Sequence, residues 1–408
     1  MIWQFASRYL RAKKSTQAVN IISWVSMGAI AVGAAALIIV LSVFNGFEDL
    51  VKSLYSSFYP EIKVSPEAGK TMLVPADKLD SLRGLYEVKS VSKTLEEKAL
   101  LKYNDEKTIA VLKGVDSNFA RVTGIPGKVV RGTFDVGDAA IPKAVVGIGI
   151  EGALGIDVKR DFIPLVVYLP KATVQSFTFP EQAFYVGQLT PAGTFAIQQD
   201  FDNTYVITSL PYMQKLMGMP SGKISAVEIA LKPGADLQQA KADIGRIFGK
   251  THYVVQTRYE QNRSLYNVMQ TEKWFVYAIL LFIFAIAAFN MIGSLSMLVI
   301  EKRKDITILK AMGARQSLIR RIFLTEGVLI AAVGAGIGTT LAVLICLGQQ
   351  QFGWVKLGGG TFVVDFYPVS MHFSDFILVW MTILIIALLA SWYPSMKAAR
   401  QPVDLKAE

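Results

Sequence analysis

The sequence has little cysteine, histidine or charge. Its 408 residues include one cysteine, Cys346, and two histidines, His252 and His372. One cysteine excludes an intramolecular disulfide and a cysteine-based zinc site, and two distant histidines argue against a histidine metal centre. Only 18% of the residues are charged, whereas 52% are hydrophobic. This balance excludes a disordered chain and disfavours an ordinary soluble domain.

Motifs of catalysis are also missing. The sequence contains no G-x-S-x-G elbow and no H-E-x-x-H pair. The stretch GMPSGKIS at 218–225 approaches a phosphate-binding loop, but Met217 stands where the first glycine is needed and Ile224 follows the lysine. We therefore predict no nucleotide, metal or catalytic site in this chain.

Long apolar runs are what the sequence has instead. Four stretches, at 21–45, 274–300, 322–348 and 376–393, are nearly free of charge. About 20 apolar residues cross the roughly 30 Å of a bilayer's hydrocarbon, so we predict four transmembrane helices. The first run exceeds the roughly 7–15 apolar residues of a signal peptide and continues without a small-residue cleavage site, which favours a retained anchor over a cleaved one.

The net charge of +10 comes from three short segments. Residues 1–20, 301–321 and 394–408 hold 14 basic and 4 acidic residues, and the rest of the chain holds 28 of each. Basic residues beside spans mark the cytoplasmic side. We therefore predict a cytoplasmic amphipathic N-terminal segment at 1–20, a cytoplasmic coupling segment at 301–321 and a cytoplasmic tail at 394–408. The outer parts are then a large domain at 46–273 and a loop at 349–375.

The sequence of the outer domain predicts an α+β fold. Short β-like runs lie at 61–65, 107–115, 144–148, 162–170, 204–209, 225–231 and 252–257, with helical stretches at 210–217 and 236–248. The expected fold class is thus a polytopic α-helical membrane protein with four transmembrane helices and a large α+β outer domain. A glycine- and proline-rich stretch at 124–137 suggests a boundary between two lobes.

The coupling segment alternates apolar and basic residues. We expect an extension of the second span, a turn at Gly313 and a short amphipathic helix that leads into the third span. Two roles remain open, anchoring on anionic lipid and docking of a cytoplasmic partner. The predicted coupling residues are Lys302, Arg303, Lys304, Lys310, Gly313, Arg315, Arg320 and Arg321. Inside the spans, small or polar residues predict helix packing, at Gly33, Asn290, Gly334 and Gly338.

Three stretches resemble a known family. ALIIVLSVFNGFEDL at 36–50 resembles the first span of the LolC/LolE lipoprotein-releasing permeases. AAFNMIGSLSMLVIEKRKDITILKAMGA at 287–314 and WYPSMKAARQPVDLK at 392–406 are similar to motifs shared across the wider MacB/FtsX-like permease superfamily. The run LSVFNGFE is the more specific signal for the Lol branch.

The resemblance implies a permease subunit of an ABC transporter in the bacterial inner membrane. Two LolD-like cytoplasmic ATPases would hydrolyse ATP with Mg, and a second permease copy would complete a homodimer or a LolC/LolE-type heterodimer. The outer domain would contain Porter and Sabre subdomains. A lipoprotein would be extracted from the outer leaflet and passed to a LolA-like periplasmic chaperone. The alternative within the superfamily is a MacB/FtsX-like mechanotransmission permease for efflux or for control of a periplasmic partner.

Two further sets of residues are candidates for these roles. A lipoprotein cavity would be lined by apolar residues of the first two spans, Val40, Val43, Phe44, Phe47, Phe275, Ala278, Ile279 and Phe282, for which ordinary helix packing is the alternative. A chaperone loop would lie within 171–181, at Phe177, Phe179 and Pro180, for which a surface β-hairpin is the alternative. Outside the transporter class, a membrane-anchored periplasmic enzyme and a passive scaffold remain open.

Overall fold

The computed structural model describes residues 17–158, 163–171, 183–249, 252–357 and 366–401. These residues form two compact units. The span unit contains the described residues of 1–50, 267–357 and 364–408, and the sheet unit contains those of 51–266. The predicted chaperone-loop residues Phe177, Phe179 and Pro180 lie outside the described residues, as do 1–16 of the N-terminal segment and 402–408 of the tail.

The helices follow the predicted apolar stretches and continue past them. In chain order they are α1 Gln17–Phe58, α2 Ala76–Gly84, α3 Phe119–Val122, α4 Ile148–Leu154, α5 Gln199–Asp202, α6 Leu210–Leu216, α7 Leu237–Phe248, α8 Arg258–Gln261, α9 Arg263–Glu301, α10 Arg303–Ala311, α11 Gln316–Phe352 and α12 Phe373–Arg400. Four of them, α1, α9, α11 and α12, are long and apolar enough to cross a membrane. The prediction of four spanning helices is confirmed.

Small side chains bring the four long helices together. The core of the span unit places alanines against larger residues, namely Ala34, Leu37 and Ile38 of α1, Phe284 and Met291 of α9, Ala335 and Ala342 of α11, and Ile383 and Ala387 of α12. Close packing of this kind drives helix association where lipid is as apolar as the side chains. The helix α11 ends at Gly353, whose φ of 57° gives the left-handed C-cap that favours glycine.

The sheet unit is built from twelve strands within the described residues. They are β1 Ile62–Pro66, β2 Met72–Leu73, β3 Val88–Tyr103, β4 Glu106–Val115, β5 Val129–Gly132, β6 Lys143–Gly147, β7 Leu165–Pro170, β8 Phe184–Phe195, β9 Tyr205–Ser209, β10 Lys223–Ile224, β11 Ala226–Leu231 and β12 Tyr253–Thr257. All but the short pair β2–β10 belong to one sheet. The α+β prediction is confirmed.

The main sheet has two parts that share β3. One part is the antiparallel run β12-β1-β11-β3. The other is a ring, because β3, β4, β9, β6, β8 and β7 are each paired with the next and β7 pairs again with β3. The glycine- and proline-rich stretch 124–137 does not separate two lobes, since it supplies β5, which pairs with β8.

The longest strand was not predicted. Each of the seven β-like runs is found within three residues of its predicted ends, but β3 was missed. Its sequence VKSVSKTLEEKALLKY is rich in lysine, glutamate, leucine and alanine, which favour helices. Strand partners on both sides, β11 and β7 on one and β4 on the other, override that preference.

Candidate functional site

The coupling segment consists of a short helix followed by a turn. The helix α9 ends at Glu301, α10 covers Arg303–Ala311, and α11 begins at Gln316. The turn lies at Gly313 as expected, but the extension of the second span is interrupted at Lys302, and the helix after the turn is the start of the third spanning helix itself rather than a separate short one. At the turn Gly313 has a φ of 89°, a conformation that disfavours every residue with a Cβ. Gly313 therefore sets the direction in which the chain re-enters the spans.

Four of the predicted basic coupling residues lie on the exposed surface of this segment. Their side chains are accompanied by exposed apolar groups, since Ile308 is 57% and Met312 70% exposed. The four exposed basic residues are Arg303, Lys304, Arg315 and Arg321. The turn also borders a shallow cleft lined by Gly313, Ala314, Arg315, Ser317, Leu318 and Arg321. A mixed basic and apolar surface of this type suits a protein partner better than water.

The other predicted coupling residues are engaged within the chain. Lys310 Nζ donates to the backbone oxygen of Ala399 at 2.9 Å and to that of Gln401, at the C-terminal end of α12. The guanidinium of Arg320 lies 5.1 Å from the ring centre of Trp392. These contacts connect the coupling segment with the end of α12, so Lys310 and Arg320 serve the internal structure of the span unit.

An apolar stripe runs along the exposed face of α9. Phe275, Ile279, Phe282, Ile286 and Phe289 recur at spacings of four and three and are each between 52% and 73% exposed. That spacing places them on one side of a helix, as in the seam of a coiled coil. The stripe contains three of the four predicted cavity residues of the second span and extends beyond them.

The remaining predicted cavity residues are distributed differently. Ala278, beside the stripe on α9, is exposed, and on α1 Val40, Val43 and Phe44 are partly buried while Phe47 is 37% exposed. The structure thus gathers the α9 set on one surface but does not give the α1 set the same exposure.

Glycines of the spans permit close contact between α1 and its neighbours. A Cβ on Gly338 would lie 2.3 Å from the backbone oxygen of Ala31, and one on Gly334 would lie 2.8 Å from that of Met27. A Cβ on Gly33 would lie 3.2 Å from the ring of Phe284. The side chain of Asn290, in contrast, is on the exposed face of α9, where its packing role stays a prediction.

The outer face of the ring combines apolar and basic residues. Ile109, Leu100, Tyr168 and Val186 are direct cross-strand neighbours on β4, β3, β7 and β8, and they form a row across four strands. The same face carries three lysines, Lys98, Lys102 and Lys107. The face positions 98–102, 107–111, 166–170 and 184–188 hold no acidic residue. The segment with the predicted chaperone loop leaves from β7 and returns to β8.

A fully buried lysine occupies the same face nearer the end of α1. Lys113 Nζ lies 2.7 Å from Glu228 Oε1 and 3.0 Å from Glu96 Oε1, and 4.9 Å and 5.4 Å from the ring centres of Phe58 and Phe119. Burial alone lowers the pKa of Lys113, but the two carboxylates outweigh it and hold the pKa above its usual value. Sequence reasoning missed this cluster because lysine is ordinarily a surface residue.

Metal-ligating side chains do not cluster in the part of the chain that the structure describes. No group of three or more His, Cys, Asp or Glu residues there is arranged to hold an ion. His252 is exposed, and His372 Nε2 lies 3.6 Å from Asp49 Oδ2.

Two family patterns together match most of the sequence. Residues 23–247 match the family described as MacB-like periplasmic core domain, and 277–403 match FtsX-like permease C-terminal. The first match covers more than half of the chain. The chain belongs to the MacB-like permease family. The two matches divide the permease much as the structure does, since the first covers most of the sheet unit and the second covers the coupling segment with α11 and α12.

Relatives of this permease include the LolC and LolE proteins over almost their full length. The chain is 26% identical to "Lipoprotein-releasing system transmembrane protein LolE" of Haemophilus influenzae, with 98% of this chain and 97% of the relative aligned. It is also 26% identical to the LolC protein of Neisseria meningitidis, with 97% and 96% aligned. The resemblance to LolC and LolE is confirmed.

Similarity to MacB itself is more partial. The "Macrolide export ATP-binding/permease protein MacB" of Escherichia coli is 23% identical over 78% of this chain and 46% of its own length. Among solved structures, the periplasmic region of MacB from Actinobacillus actinomycetemcomitans aligns with 54% of this chain and 98% of that one, at 9% identity and a TM-score of 0.38.

Proposed function

We propose that this permease extracts lipoproteins from the outer leaflet of the bacterial inner membrane and passes them to a LolA-like periplasmic chaperone. ATP hydrolysis by two copies of a LolD-like cytoplasmic ATPase drives the step, with ATP and Mg held by the ATPase. The observation that carries the proposal is the near full-length similarity to LolC and LolE. In this arrangement both termini and the coupling segment are cytoplasmic, as the basic residues at 301–321 suggest.

The coupling segment is the proposed docking surface for the ATPase. It exposes Arg303, Arg315 and Arg321 beside the apolar Ile308 and Met312. Through Lys310 and the end of α12, a force applied to α10 reaches a third spanning helix as well as the two that flank it. The coupling segment is thus exposed to a partner and, through Lys310, hydrogen-bonded to a spanning helix.

Two long, unbroken helices are proposed to carry movement across the membrane. The helix α1 has 42 residues and α9 has 39, which at a rise of 1.5 Å per residue gives lengths of about 63 Å and 58 Å. The hydrocarbon of a bilayer is only about 30 Å thick. Both helices therefore extend well beyond the membrane, as levers that carry motion to the periplasmic side would.

The apolar stripe of α9 is the proposed surface for acyl chains. Its phenylalanine side chains expose apolar area and carry no polar group. An acyl chain needs only an apolar surface of this kind. One chain exposes this stripe on its outside, so an enclosed cavity requires a second permease copy, as a homodimer or as a LolC/LolE-type pair. The α1 residues Val40, Val43, Phe44 and Phe47 remain candidates for the opposite wall.

The outer face of the ring is the proposed place of chaperone docking. Its apolar row crosses β4, β3, β7 and β8, and its three lysines lie on β3 and β4. The segment with Phe177, Phe179 and Pro180 connects β7 with β8. The surface is basic and apolar, so we expect a partner with acidic residues around an apolar patch.

Reconstitution of the permease with its ATPase tests the function. In proteoliposomes that contain an acylated lipoprotein, we expect ATP-dependent transfer of the lipoprotein to a soluble chaperone. ATP hydrolysis without any transfer would refute the substrate assignment and favour a MacB/FtsX-like mechanotransmission permease instead.

Charge reversal in the coupling segment tests the docking surface. Arg315→Glu with Arg321→Glu should abolish copurification of the ATPase while the chain still inserts, because both side chains are exposed and can take the change without refolding. Lys89→Glu, an exposed residue of β3, is the matched control and should retain binding. Transport that survives loss of the two arginines would instead indicate a scaffold that works without the ATPase.

A further inference from the structure

A buried asparagine joins three spanning helices. The side chain of Asn45, in α1, is fully buried. Its Oδ1 accepts a hydrogen bond from Lys273 Nζ of α9 at 2.7 Å, and its Nδ2 donates to Asp375 Oδ2 of α12. The same Nδ2 donates to the backbone oxygen of Ser370 at 3.5 Å. We call Asn45, Lys273 and Asp375 the amide cluster.

A side-chain amide can satisfy both charged neighbours at once. The carbonyl oxygen meets the cation and the amide NH₂ meets the anion, whereas a carboxylate would only accept and an ammonium would only donate. Replacement by aspartate would place two carboxylates in contact, and replacement by leucine would leave a charge unmatched on each side. The amide therefore relays an ion pair between α9 and α12 through α1.

A backbone strap supports the amide cluster. Residues 366–372 run beside α1, where Ser370 N donates to the backbone oxygen of Ser42 at 2.9 Å. The strap approaches so closely at Gly46 that a Cβ there would lie 2.4 Å from the backbone oxygen of Pro368. At its other side, Gln349 of α11 donates to the backbone oxygen of Tyr367 at 3.2 Å. The strap is thus held by both α1 and α11.

The two residues at this junction are neighbours in the sequence. Asn45 and Gly46 stand together in the run LSVFNGFE, and the structure gives each a separate task. Asn45 supplies the amide that bridges two charges, and Gly46 supplies the space that lets the strap lie against α1. Neither task can be performed by the apolar residues that surround them.

We propose that Asn45 is a positioning residue, which relays the ion pair between Lys273 and Asp375 and so makes α1, α9 and α12 move together during transport. The transport part of this inference rests on the proposed function. The relay itself does not, and it is tested separately.

A charge swap tests the relay on the purified full chain. Lys273→Glu and Asp375→Lys should each lower the thermal unfolding midpoint, because each places two like charges on the amide. The double variant should recover more than half of the loss, since an amide that turns over by 180° serves the swapped charges equally. Full recovery is not expected, because Asp375 lies in the first turn of α12, where an acidic residue is favoured.

Two variants show whether the amide itself is required. In an Asn45→Leu background the recovery by the charge swap should disappear, and Asn45→Gln, which keeps the amide, should retain part of it. The control is Glu272→Lys, an exposed neighbour of Lys273 on α9, which should leave the midpoint unchanged. A double variant as unstable as either single one, or single variants no worse than the control, would overturn the relay.

The transport readout is the number of lipoproteins released per ATP hydrolysed in the reconstituted complex. We expect each single charge variant to lower this ratio by about tenfold, a coupling typical of charged residues in contact, and the double variant to restore much of it. Gly46→Ala should lower it too by displacing the strap, whereas Gly28→Ala, on a part of α1 with open space, should not. Unchanged ratios in the single variants would refute the coupled movement.

The two readouts separate the possible failures. If the wild-type complex hydrolyses ATP but releases no lipoprotein, the proposed function is wrong, and the unfolding midpoints still decide whether the relay exists. If release occurs but the charge swap rescues nothing, the relay is wrong and the function stands.

Discussion

Each unit holds one charge cluster that joins several of its elements, and the two clusters differ in how deeply their charges are buried. In the sheet unit Lys113 and Glu228 touch directly, and their side chains are 2% and 0% exposed. In the span unit Lys273 and Asp375 are both partly exposed, and only the amide of Asn45 between them is fully buried. A fully buried pair is costly to separate because each ion is left without water. Partly exposed charges can be hydrated again when they separate.

This difference fits the parts that we propose for the two units. Strands that share a sheet hold Lys113 and its partners at fixed positions, so a direct pair can be permanent. Helices that shift against each other need a contact that can open without leaving a charge buried and unhydrated. The comparison predicts that changes to the sheet cluster act mainly on stability, whereas changes to the amide cluster act mainly on coupling.

The largest effect is expected from removing the buried lysine. Lys113→Met leaves Glu228 as a buried charge without its cation, which should lower the free energy of unfolding by about 3–5 kcal/mol. Denaturant unfolding of the full chain in detergent measures the change. Lys107→Met, an exposed lysine on the same strand, is the control. Equal stability of the two variants would contradict the importance of the buried pair.

A smaller effect is expected from the helix contact at Gly338. In Gly338→Ala the new Cβ meets the backbone oxygen of Ala31, which should cost about 1–3 kcal/mol. Gly336→Ala is a matched control on the same helix, since a Cβ there meets no neighbouring atom. Both variants gain the same helix propensity, so their difference in unfolding midpoint isolates the contact. A control that is equally destabilised would show that the close approach to α1 is not responsible.

A pH-dependent effect is expected at Asp202, a buried carboxyl that has no cationic partner among its hydrogen bonds. Burial raises its pKa from 3.8 to about 6, so the folded state binds the proton more tightly and stability falls as pH rises from about 4 to 6. Asp202→Asn removes this penalty and should stabilise the chain by about 1–2 kcal/mol at pH 8. The gain should vanish near pH 4, and a gain that is independent of pH would exclude titration as the cause.

An effect confined to acid pH is expected at Glu96, the more exposed carboxylate of the sheet cluster. Burial raises its pKa, but Lys113 and Lys63 lower it further, to about 2 from 4.5. Its contribution to stability is therefore complete above about pH 4.5 and is lost as pH falls toward 2. Glu96→Gln should flatten the stability profile in that window, while Glu106→Gln, at an exposed position, should not. A Glu96→Gln profile parallel to that of the wild type would contradict the shift.

The spans and most strands were predictable because their signals are local. A run of more than 20 apolar residues specifies a spanning helix regardless of what it touches, and β-branched runs such as TYVITS at 204–209 specify strands. The strand β3 was not predictable, because its residues favour a helix and only its partners β11, β4 and β7 make it extended.

The candidate site residues likewise divide into those that the local sequence predicts and those that only tertiary contacts decide. Arg315 and Arg321 were predicted as coupling residues from charge and position, and the structure places them on an exposed surface. Lys310 and Arg320 have the same charge, but they contact α12 instead, and nothing in their local sequence distinguishes them. The apolar stripe of α9 was partly predicted, because its helical spacing is visible, while its exposure depends on which face the other spans cover.

The sequence by itself determined the number of spanning helices, the location of the basic segments and the family. The first two follow from composition over a short window, where solvation decides the outcome, and the family follows from the resemblance of three stretches to known motifs. Only the tertiary structure decided that Lys113 is buried and that Asn45 joins Lys273 to Asp375. Those contacts join residues between 17 and 330 positions apart, and their energies depend on the distance and burial that the fold imposes rather than on the residue types alone.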